Sequence, residues 1–167
     1  MATVLSFNVE GGDRTLQGLA ALDTALKDLR PFWRDVFAPK YFGVVQDLFA
    51  TGGRARGGGG RFKSGAWAPL SPAYREWKKK HFPGQPILVR SGDLRESVRW
   101  DGARLGAGGQ FDAQPGFVIA GTTIPYGKHH QNGAGKMPKR EFLPSPDPAV
   151  FAPLLAAWLI RNTSGVK

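Results

Sequence analysis

The sequence predicts one α+β domain, in which an opening strand and helices precede a small antiparallel sheet and a closing helix. Apolar residues recur at helical spacing near both ends of the chain, whereas the stretch between them is rich in glycine, proline and short alternating segments. With 167 residues, of which 41% are hydrophobic, the chain is long enough to bury one core and short for two. We therefore expect residues 1–167 to form a single domain.

The N-terminal third predicts one strand and two helices. Residues 3–10 alternate between polar and apolar, so we expect a strand there, and Asp13 can cap a helix that continues to about Arg30. Pro31 can open a second helix. Pro39 lies inside the apolar pattern of this second helix and predicts a kink or a division. The apolar residues of that pattern are Phe32, Val36, Phe37, Val44, Val45, Leu48 and Phe49.

A glycine-rich basic segment follows at 52–65. Seven of its fourteen residues are glycine, which disfavours a fixed helix or strand, so we expect a flexible loop. Its four cations are Arg54, Arg56, Arg61 and Lys63. A phosphate-binding loop of the Walker type needs glycine directly before its lysine, where Phe62 stands here, so the segment does not predict a nucleotide site.

The middle of the chain predicts two short helices. Ser71 followed by proline is typical of a helix start, and this helix should continue to about Lys80. Residues 86–90 are expected to be extended. Asp93, with Glu96 three residues later, has the pattern of a capping box at the start of the second helix.

The second half predicts a sheet, a loop and a helix. Segments 98–105 and 117–122 are expected to pair as antiparallel strands across a glycine-rich connection. Residues 123–141 contain several glycines and prolines and are expected to form an irregular loop, which could contact a neighbouring subunit. The closing helix is expected to begin near Ala152, with Pro153 in its first turn. Its apolar residues have helical spacing and are Phe151, Leu154, Leu155, Trp158 and Leu159.

Most of the net charge of +10 comes from one quarter of the chain. Residues 52–95 carry ten basic and two acidic residues, which predicts a surface for a polyanion or an acidic partner. Three consecutive cations, Lys78, Lys79 and Lys80, belong to this quarter. Tyr74 and Trp77 share a face of the same predicted helix, where they either pack in the core or form an intersubunit surface.

The sequence gives no pattern typical of an enzyme or of a metal site. The chain contains no cysteine, and no carboxylate lies within ten residues of the His129–His130 pair, so neither a thiolate site nor a metal site is predicted. The acidic residues are mostly isolated and no nucleophile elbow is present. We therefore expect no catalytic residue, cofactor or small-molecule substrate. No apolar stretch is long enough to span a membrane and Met1–Glu10 lacks the features of a secretory signal, so we expect a protein made in a reducing cytosol.

Three segments, taken in order, resemble blocks of one known family. The first is Trp67-Ala-Pro-Leu-Ser-Pro-Ala-Tyr74 with Lys78–Lys80, which resembles W-x-P-L-S-x-x-Y…K. The second resembles P-I-L-x-x-[ST]-G-x-L-x-x-S and consists of Pro86, Ile87, Leu88, Ser91, Gly92, Leu94 and Ser97. The third resembles G-T…Y-A-x-x-H-Q-x-G…P-x-R-x-F and consists of Gly121, Thr122, Tyr126, His130, Gln131, Gly133, Pro138, Arg140 and Phe142. Over about residues 64–145 the chain thus resembles the phage virion morphogenesis, or tail completion, family, which includes the Mu-type G and P2-type S proteins.

The resemblance implies a non-enzymatic structural protein of a tailed bacteriophage, located in the tail or neck of the virion and assembled in the cytoplasm of the bacterial host. Such subunits are expected to form a homo-oligomeric ring, a hexamer, at the head-proximal end of the tail. There the ring would meet the tail tube or tail terminator proteins and the head connector or neck proteins. In two respects the chain departs from the family pattern, since Gly127 replaces a usual alanine and segment 52–65 is an insertion.

Two sets of residues are the candidate functional residues. The candidate intersubunit or partner interface consists of Trp67, Tyr74, Trp77, Tyr126, His130, Gln131, Arg140 and Phe142. The residues that could contact packaged DNA in the ring lumen, or an acidic partner, are Arg54, Arg56, Arg61, Lys63, Lys78, Lys79 and Lys80. The alternative function is a nucleic-acid-binding module that uses the basic segment 52–95, in which cations and aromatic rings occur together.

Overall fold

The computed structural model describes residues 12–54 and 66–163. The elements are α1 (Gly12–Lys27), α2 (Arg30–Phe32), a π-helical turn (Trp33–Phe37), α3 (Ala38–Thr51), α4 (Pro72–His81), α5 (Asp93–Ser97), β1 (Gly109–Ala113), β2 (Val118–Thr122), α6 (Gly127–Asn132) and α7 (Pro148–Thr163). Helices and a two-stranded antiparallel sheet together confirm the predicted α+β class, including its C-terminal helix. The predicted strand at 3–10 and most of segment 52–65 lie outside the described residues.

The core is built around α3, because this helix presents apolar side chains on a broad face. Its fully buried residues include Phe42, Val45, Leu48 and Phe49. Aromatic rings from later segments pack on this face, with Phe49 of α3 5.5 Å from Trp67 and 5.8 Å from Phe142 between ring centroids. Further buried residues come from other elements and loops and are Phe32, Val89, Leu94, Val98, Phe142 and Trp158. One continuous core of this kind supports the prediction of a single domain.

The predicted kink or division of the second helix at Pro39 takes the form of a π-helical turn directly before this proline. A proline inside an α-helix lacks the N–H for the i−4 hydrogen bond, and its ring collides with that carbonyl. Here the preceding turn is π-helical, and Ala38 donates its N–H to the carbonyl of Trp33, five residues back. This wider turn places Pro39 at the first turn of α3, where no such donor is needed. The chain is therefore helical from Arg30 to Thr51, with the π-helical turn dividing α2 from α3.

The ends of α1 and α7 differ from the predicted ones. α1 ends at Lys27 rather than Arg30, because Leu29 donates its N–H to the carbonyl of Pro115 in the β-hairpin turn (2.9 Å). α7 begins at Pro148, not near Ala152. Its start is fixed by Asp147, whose carboxylate accepts the N–H of the second helical residue at 2.9 Å, as an N-cap does. Pro153 consequently lies inside α7 instead of in its first turn.

The predicted sheet has the right second strand but the wrong first one. β2 pairs with β1 at 109–113, in the register Phe111 with Ala120 and Ala113 with Val118. Residues 98–105 instead form a tight turn closed by a single bridge between Trp100 and Leu105. The turn forms because the Asp101 carboxylate accepts the N–H groups of the residues two and three positions later, at 2.9 and 2.8 Å.

Two local predictions between α4 and the sheet are also wrong. Residues 86–90 are not extended, because Val89 donates to the carbonyl of Pro86 (3.1 Å) and Leu88 has a φ of +66°. The capping box is absent as well. Gly92 occupies the cap position with a φ of +98°, and the carboxylate of Asp93 accepts the hydroxyl of Ser91 at 2.6 Å instead. The short helix itself, α5, forms as predicted.

Segment 123–141 is more ordered than the irregular loop that was predicted. It contains the six-residue helix α6 and a bridge between Ala134 and Met137. Gly127, the first residue of α6, is buried, and a Cβ there would lie 3.1 Å from Thr122 Cγ2 and 3.2 Å from Leu94 Cδ1. Glycine in place of alanine therefore lets α6 approach β2 and α5 closely.

Several apolar side chains of the described residues face solvent. On α1, which packs against α7, Leu16 and Leu19 are 65% and 58% exposed, and Phe117 and Ile119 are exposed on the hairpin. Among the helices that the structure describes, none is both long and apolar enough to cross a membrane.

Candidate binding cleft

The segment before α4 is attached to the end of α3 by a close backbone contact, which we call the Gly52–Trp67 junction. Trp67 donates its N–H to the carbonyl of Gly52 at 2.8 Å. Gly53 has a φ of +95°, and a Cβ there would lie 2.5 Å from the indole of Trp67. Only glycine allows this approach without a shift, so the two sides of the basic segment leave and re-enter the fold at one point.

Two side chains join the first and third of the motif segments. The indole Nε1 of Trp67 donates to the carbonyl of Glu141 (3.0 Å). In the opposite direction, Arg140 donates through Nε to the carbonyl of Ala68 (2.9 Å) and through Nη2 to that of Pro69 (3.1 Å). The two segments, more than seventy residues apart, therefore hold each other in place.

Gln131 fixes the chain that follows. Its side-chain oxygen accepts the N–H groups of Phe142 (3.1 Å) and Leu143 (3.0 Å), and its Nε2 donates to the carbonyl of Leu143 (2.7 Å). These three bonds satisfy backbone groups that belong to neither a helix nor a strand. Phe142 is thereby held in the core at 1% exposure.

A cleft of about 760 Å³ opens between parts of all three motif segments. It is lined by residues from 69–78, from 88–93 and from 126–140. Its lining is mixed, with apolar side chains such as Leu70, Leu88 and Met137 beside polar and charged ones. The volume lies within the usual range of protein ligand sites.

Four cations from the described part of the chain line the cleft, together with one described carboxylate, that of Asp93. Lys78 and Arg140 are each only 5% exposed, whereas Arg90 and Lys136 are exposed at its edge. Lys78 donates its ammonium to the carbonyl of Pro86. Burial lowers the pKa of both Lys78 and Arg140, because a desolvated cation is less stable than the neutral form.

Among the residues that the structure describes, neither buried cation has a carboxylate partner. All ion pairs within the described residues join other side chains. Buried charges in proteins are normally paired, since removal from water costs several kcal/mol per ion. Backbone carbonyls supply partial compensation for Lys78 and Arg140, and an anion in the cleft would supply the rest.

His130 also lines the cleft and is half-buried. Its Nδ1 is buried and has no hydrogen-bond partner among the described residues, and the Tyr126 ring lies edge-on at 6.1 Å. Burial, together with the charge of Arg140 and with His129, lowers the pKa of His130 below its usual 6.5. The imidazole is therefore neutral at pH 7 and can accept or donate a hydrogen bond.

A row of stacked aromatic rings occupies the exposed face of α4. Tyr74 and Trp77 stack at 5.5 Å between centroids, and Trp77 stacks on His81 at 4.7 Å. Tyr74 and Trp77 are 41% and 40% exposed. We call these three residues the α4 aromatic face. Of the two alternatives for Tyr74 and Trp77, the structure contradicts core packing.

The predicted interface residues thus fall into two groups. Tyr74, Trp77 and Tyr126 are exposed, and His130 is partly exposed in the cleft. The interface prediction is wrong for Trp67 and Phe142, because both side chains are buried in the core. Gln131 and Arg140 form hydrogen bonds inside the protomer, but Gln131 is only partly buried and Arg140 lines the cleft, so their contact with a partner stays a prediction.

The predicted DNA or acidic-partner residues are likewise divided. Lys79, Lys80 and Arg54 are exposed, whereas Lys78 is buried and so does not extend the exposed basic surface. The remaining three cations of this set lie outside the described residues and are Arg56, Arg61 and Lys63.

Sequence reasoning missed Arg90 and Lys136 as cleft residues. Each is an isolated cation in an irregular stretch, and only the packing of the three segments brings the two into one cleft. The surplus charge of 52–95 was the one available signal, and it pointed to Arg90 only as part of a long region.

Comparison with known proteins identifies no relative, since no family model, curated protein or solved structure matches this chain.

Proposed function

We propose that this chain is a structural protein of a tailed bacteriophage, a non-catalytic subunit of a homo-oligomeric ring that completes the head-proximal end of the tail and joins it to the head. The proposal rests on the resemblance of three motif segments to the tail completion family. One observation carries it furthest, namely that residues of the three segments line one cleft, with two of them joined by hydrogen bonds of Trp67 and Arg140.

The exposed aromatic and aliphatic side chains support an assembly role. Trp and Tyr are enriched at the energetic centres of protein interfaces, and Tyr74 and Trp77 lie exposed on the α4 aromatic face. Leu16, Leu19 and Phe117 provide further exposed apolar surface. Two different apolar patches on one chain suit a head-to-tail contact, which closes into a ring when the rotation between copies permits.

The decisive experiment is genetic. A nonsense codon in this gene, in the phage that carries it, should yield DNA-filled heads and separate tails in a host that cannot suppress the codon. Adding the purified protein to such a lysate should restore infectious particles, and negative-stain images should then show a ring at the tail end. Normal particle yield without the protein, or its absence from purified virions by mass spectrometry, would exclude the proposal.

Variants then locate the surfaces. Replacing Trp77 with Ala should weaken assembly by about 2 kcal/mol, roughly thirtyfold, as expected for an interface aromatic residue. The neighbouring Glu76→Ala serves as the matched control and should assemble normally. Equal complementation by both variants would remove the α4 aromatic face from the interface.

The basic segment has its own test, which also decides between the proposed function and the alternative. Neutral replacements at Arg54, Arg56, Arg61 and Lys63 should reduce head joining or DNA retention while leaving the unfolding temperature unchanged. If the isolated protein instead binds DNA tightly with a steep salt dependence, and the nonsense mutant still joins heads to tails, the chain is a nucleic-acid-binding module.

A further inference from the structure

The cleft has the composition of a binding site whose ligand is anionic. Two of its charged side chains, Lys78 and Arg140, are more than nine-tenths buried, and neither has a carboxylate within ion-pair distance among the described residues. Arg140 uses Nε and Nη2 for backbone carbonyls, so its Nη1 has no partner within the described part of the chain. A guanidinium nitrogen with free N–H groups is a strong donor to a carboxylate.

The edge of the cleft reinforces this charge. Arg90 and Lys136 are exposed there, and neither takes part in an ion pair of the described residues. Asp93, the one carboxylate that the described residues contribute to the lining, accepts a hydrogen bond from Ser91. Inside a partly desolvated cleft, such a surplus of positive charge attracts anions more strongly than the same charges on an open surface.

The apolar part of the lining indicates what carries the anion. Leu70, Leu88, Val89 and Met137 lie in the same cleft as the four cations. A nucleic-acid strand would place a further phosphate at each step along the cleft, whereas this lining combines cations with aliphatic surface. An extended peptide that contains both acidic and apolar residues can contact both parts of the lining.

We infer that this cleft binds an extended acidic peptide segment of a partner protein, with its carboxylates at Arg140 and Lys78 and its apolar side chains against Leu70, Leu88 and Met137. A second copy of this chain, with a net charge of +10, is a poorer electrostatic match than an acidic partner. The inference does not rest on the proposed function, since the cleft is formed within one protomer.

The test uses a defined probe. The full-length protein is incubated with a pool of blocked peptides of about eight residues, long enough to cross a cleft of this size in an extended form. Bound peptides are sequenced, resynthesised with a fluorescent label and measured by anisotropy at ~0.15 M salt. The bound peptides should be rich in Asp and Glu, and replacing those residues with Asn and Gln should weaken binding at least about tenfold.

Charge reversal at the cleft edge provides the matched comparison. The double variant Arg90→Glu/Lys136→Glu changes only exposed side chains, so it should fold normally and bind the selected peptides at least about tenfold more weakly. Lys80→Glu makes the same type of change on α4 outside the cleft lining and should retain affinity within about twofold. In labelled protein, the Nε–H signal of Arg140 should shift on peptide addition.

Three results would overturn the inference. They are a pool without acidic preference, unchanged affinity in the Arg90→Glu/Lys136→Glu variant, or an oligothymidylate that displaces the selected peptides at lower concentration than the unlabelled peptides themselves. Because the measurement uses only the purified protein, its failure leaves the result of the head-joining experiment unaffected. Conversely, a chain absent from virions can still bind the peptides.

Discussion

Alanine substitutions at Gly52 and Gly53 would test the Gly52–Trp67 junction, which joins α3 to the segment before α4. Both glycines have positive φ values, +66° and +95°, so alanine costs about 1 kcal/mol or slightly more at either position. They differ in their surroundings. A Cβ at Gly52 meets nothing within 4 Å, whereas one at Gly53 would lie 2.5 Å from Cδ1, 2.6 Å from Cγ and 2.6 Å from the backbone N of Trp67.

The expected difference between the two variants follows from these distances. The indole of Trp67 is 6% exposed and packs against Phe49, with 5.5 Å between ring centroids, so it cannot move away freely. Forcing an extra carbon into a packed site of this kind costs about 1–3 kcal/mol. We therefore expect Gly53→Ala to be less stable than Gly52→Ala by about 2 kcal/mol, or roughly 4–8 °C in unfolding temperature for a chain of this length.

Urea unfolding followed by tryptophan fluorescence and by circular dichroism would measure both free energies. Trp67→Leu in the Gly53→Ala background should recover only part of the loss, because the backbone N of Trp67 remains as close as the ring. Equal stability of the two alanine variants, within about 0.5 kcal/mol, would show that the Gly52–Trp67 junction adapts without strain and that the packing argument is wrong.

Three further substitutions test the cleft and its supports. Gln131→Leu removes a side chain that makes three hydrogen bonds to the backbone, so it should lower the free energy of unfolding by about 2–4 kcal/mol. The control Gln110→Leu replaces an exposed glutamine and should change this free energy by less than about 0.5 kcal/mol. Similar losses in the two variants would contradict the role given to Gln131. Gly127→Ala should cost no more than about 1 kcal/mol in thermal unfolding, because its nearest contacts of 3.1 and 3.2 Å require a shift of only a few tenths of an ångström. A larger loss would mean that α6 cannot make that shift. The pKa of His130 is lower in the folded protein than in the unfolded chain. Below about pH 6.5 the unfolded chain therefore binds a proton more readily than the folded protein does. The free energy of unfolding should consequently fall on acidification below about pH 6.5, but not above it. Urea unfolding between pH 5 and pH 8 should show a weaker acid loss in His130→Phe, and the same loss in both proteins would assign the effect to other groups.

The sequence predicted those parts of the fold that depend on local periodicity or capping. The apolar spacing of 30–51 predicts the core helices, and Ser71 caps α4 as expected, with its hydroxyl oxygen accepting the N–H of Tyr74 at 3.4 Å. Some errors arose where a local side chain bonds in a way that the pattern did not indicate, as at Asp101 and Asp147, and others where a distant group decides the conformation. Leu29 leaves α1 because its N–H bonds Pro115, and no pattern near Leu29 indicates that partner.

The same distinction applies to the cleft. The motif segments predicted candidate residues, but not whether each faces inward or outward. Arg140 was predicted only as a partner contact, and no local pattern indicates that two of its N–H groups also bind the backbone carbonyls of Ala68 and Pro69. Lys78 belongs to a run of three lysines, and the run itself does not indicate which of them is buried. Lys78 is the buried one, and its ammonium donates to the Pro86 carbonyl in the turn at 86–90.

The Gly52–Trp67 junction also determines how this protein can change over evolutionary time. Because the carbonyl of Gly52 and the N–H of Trp67 are already bonded, residues 54–66 need not span any fixed distance between α3 and α4. Doubling the length of such an excursion costs only about 0.6 kcal/mol in closure entropy. Insertions, deletions and changes of charge there can accumulate without altering the domain, which makes the site a natural place for acquiring a new specificity and, in the laboratory, for grafting a reporter sequence.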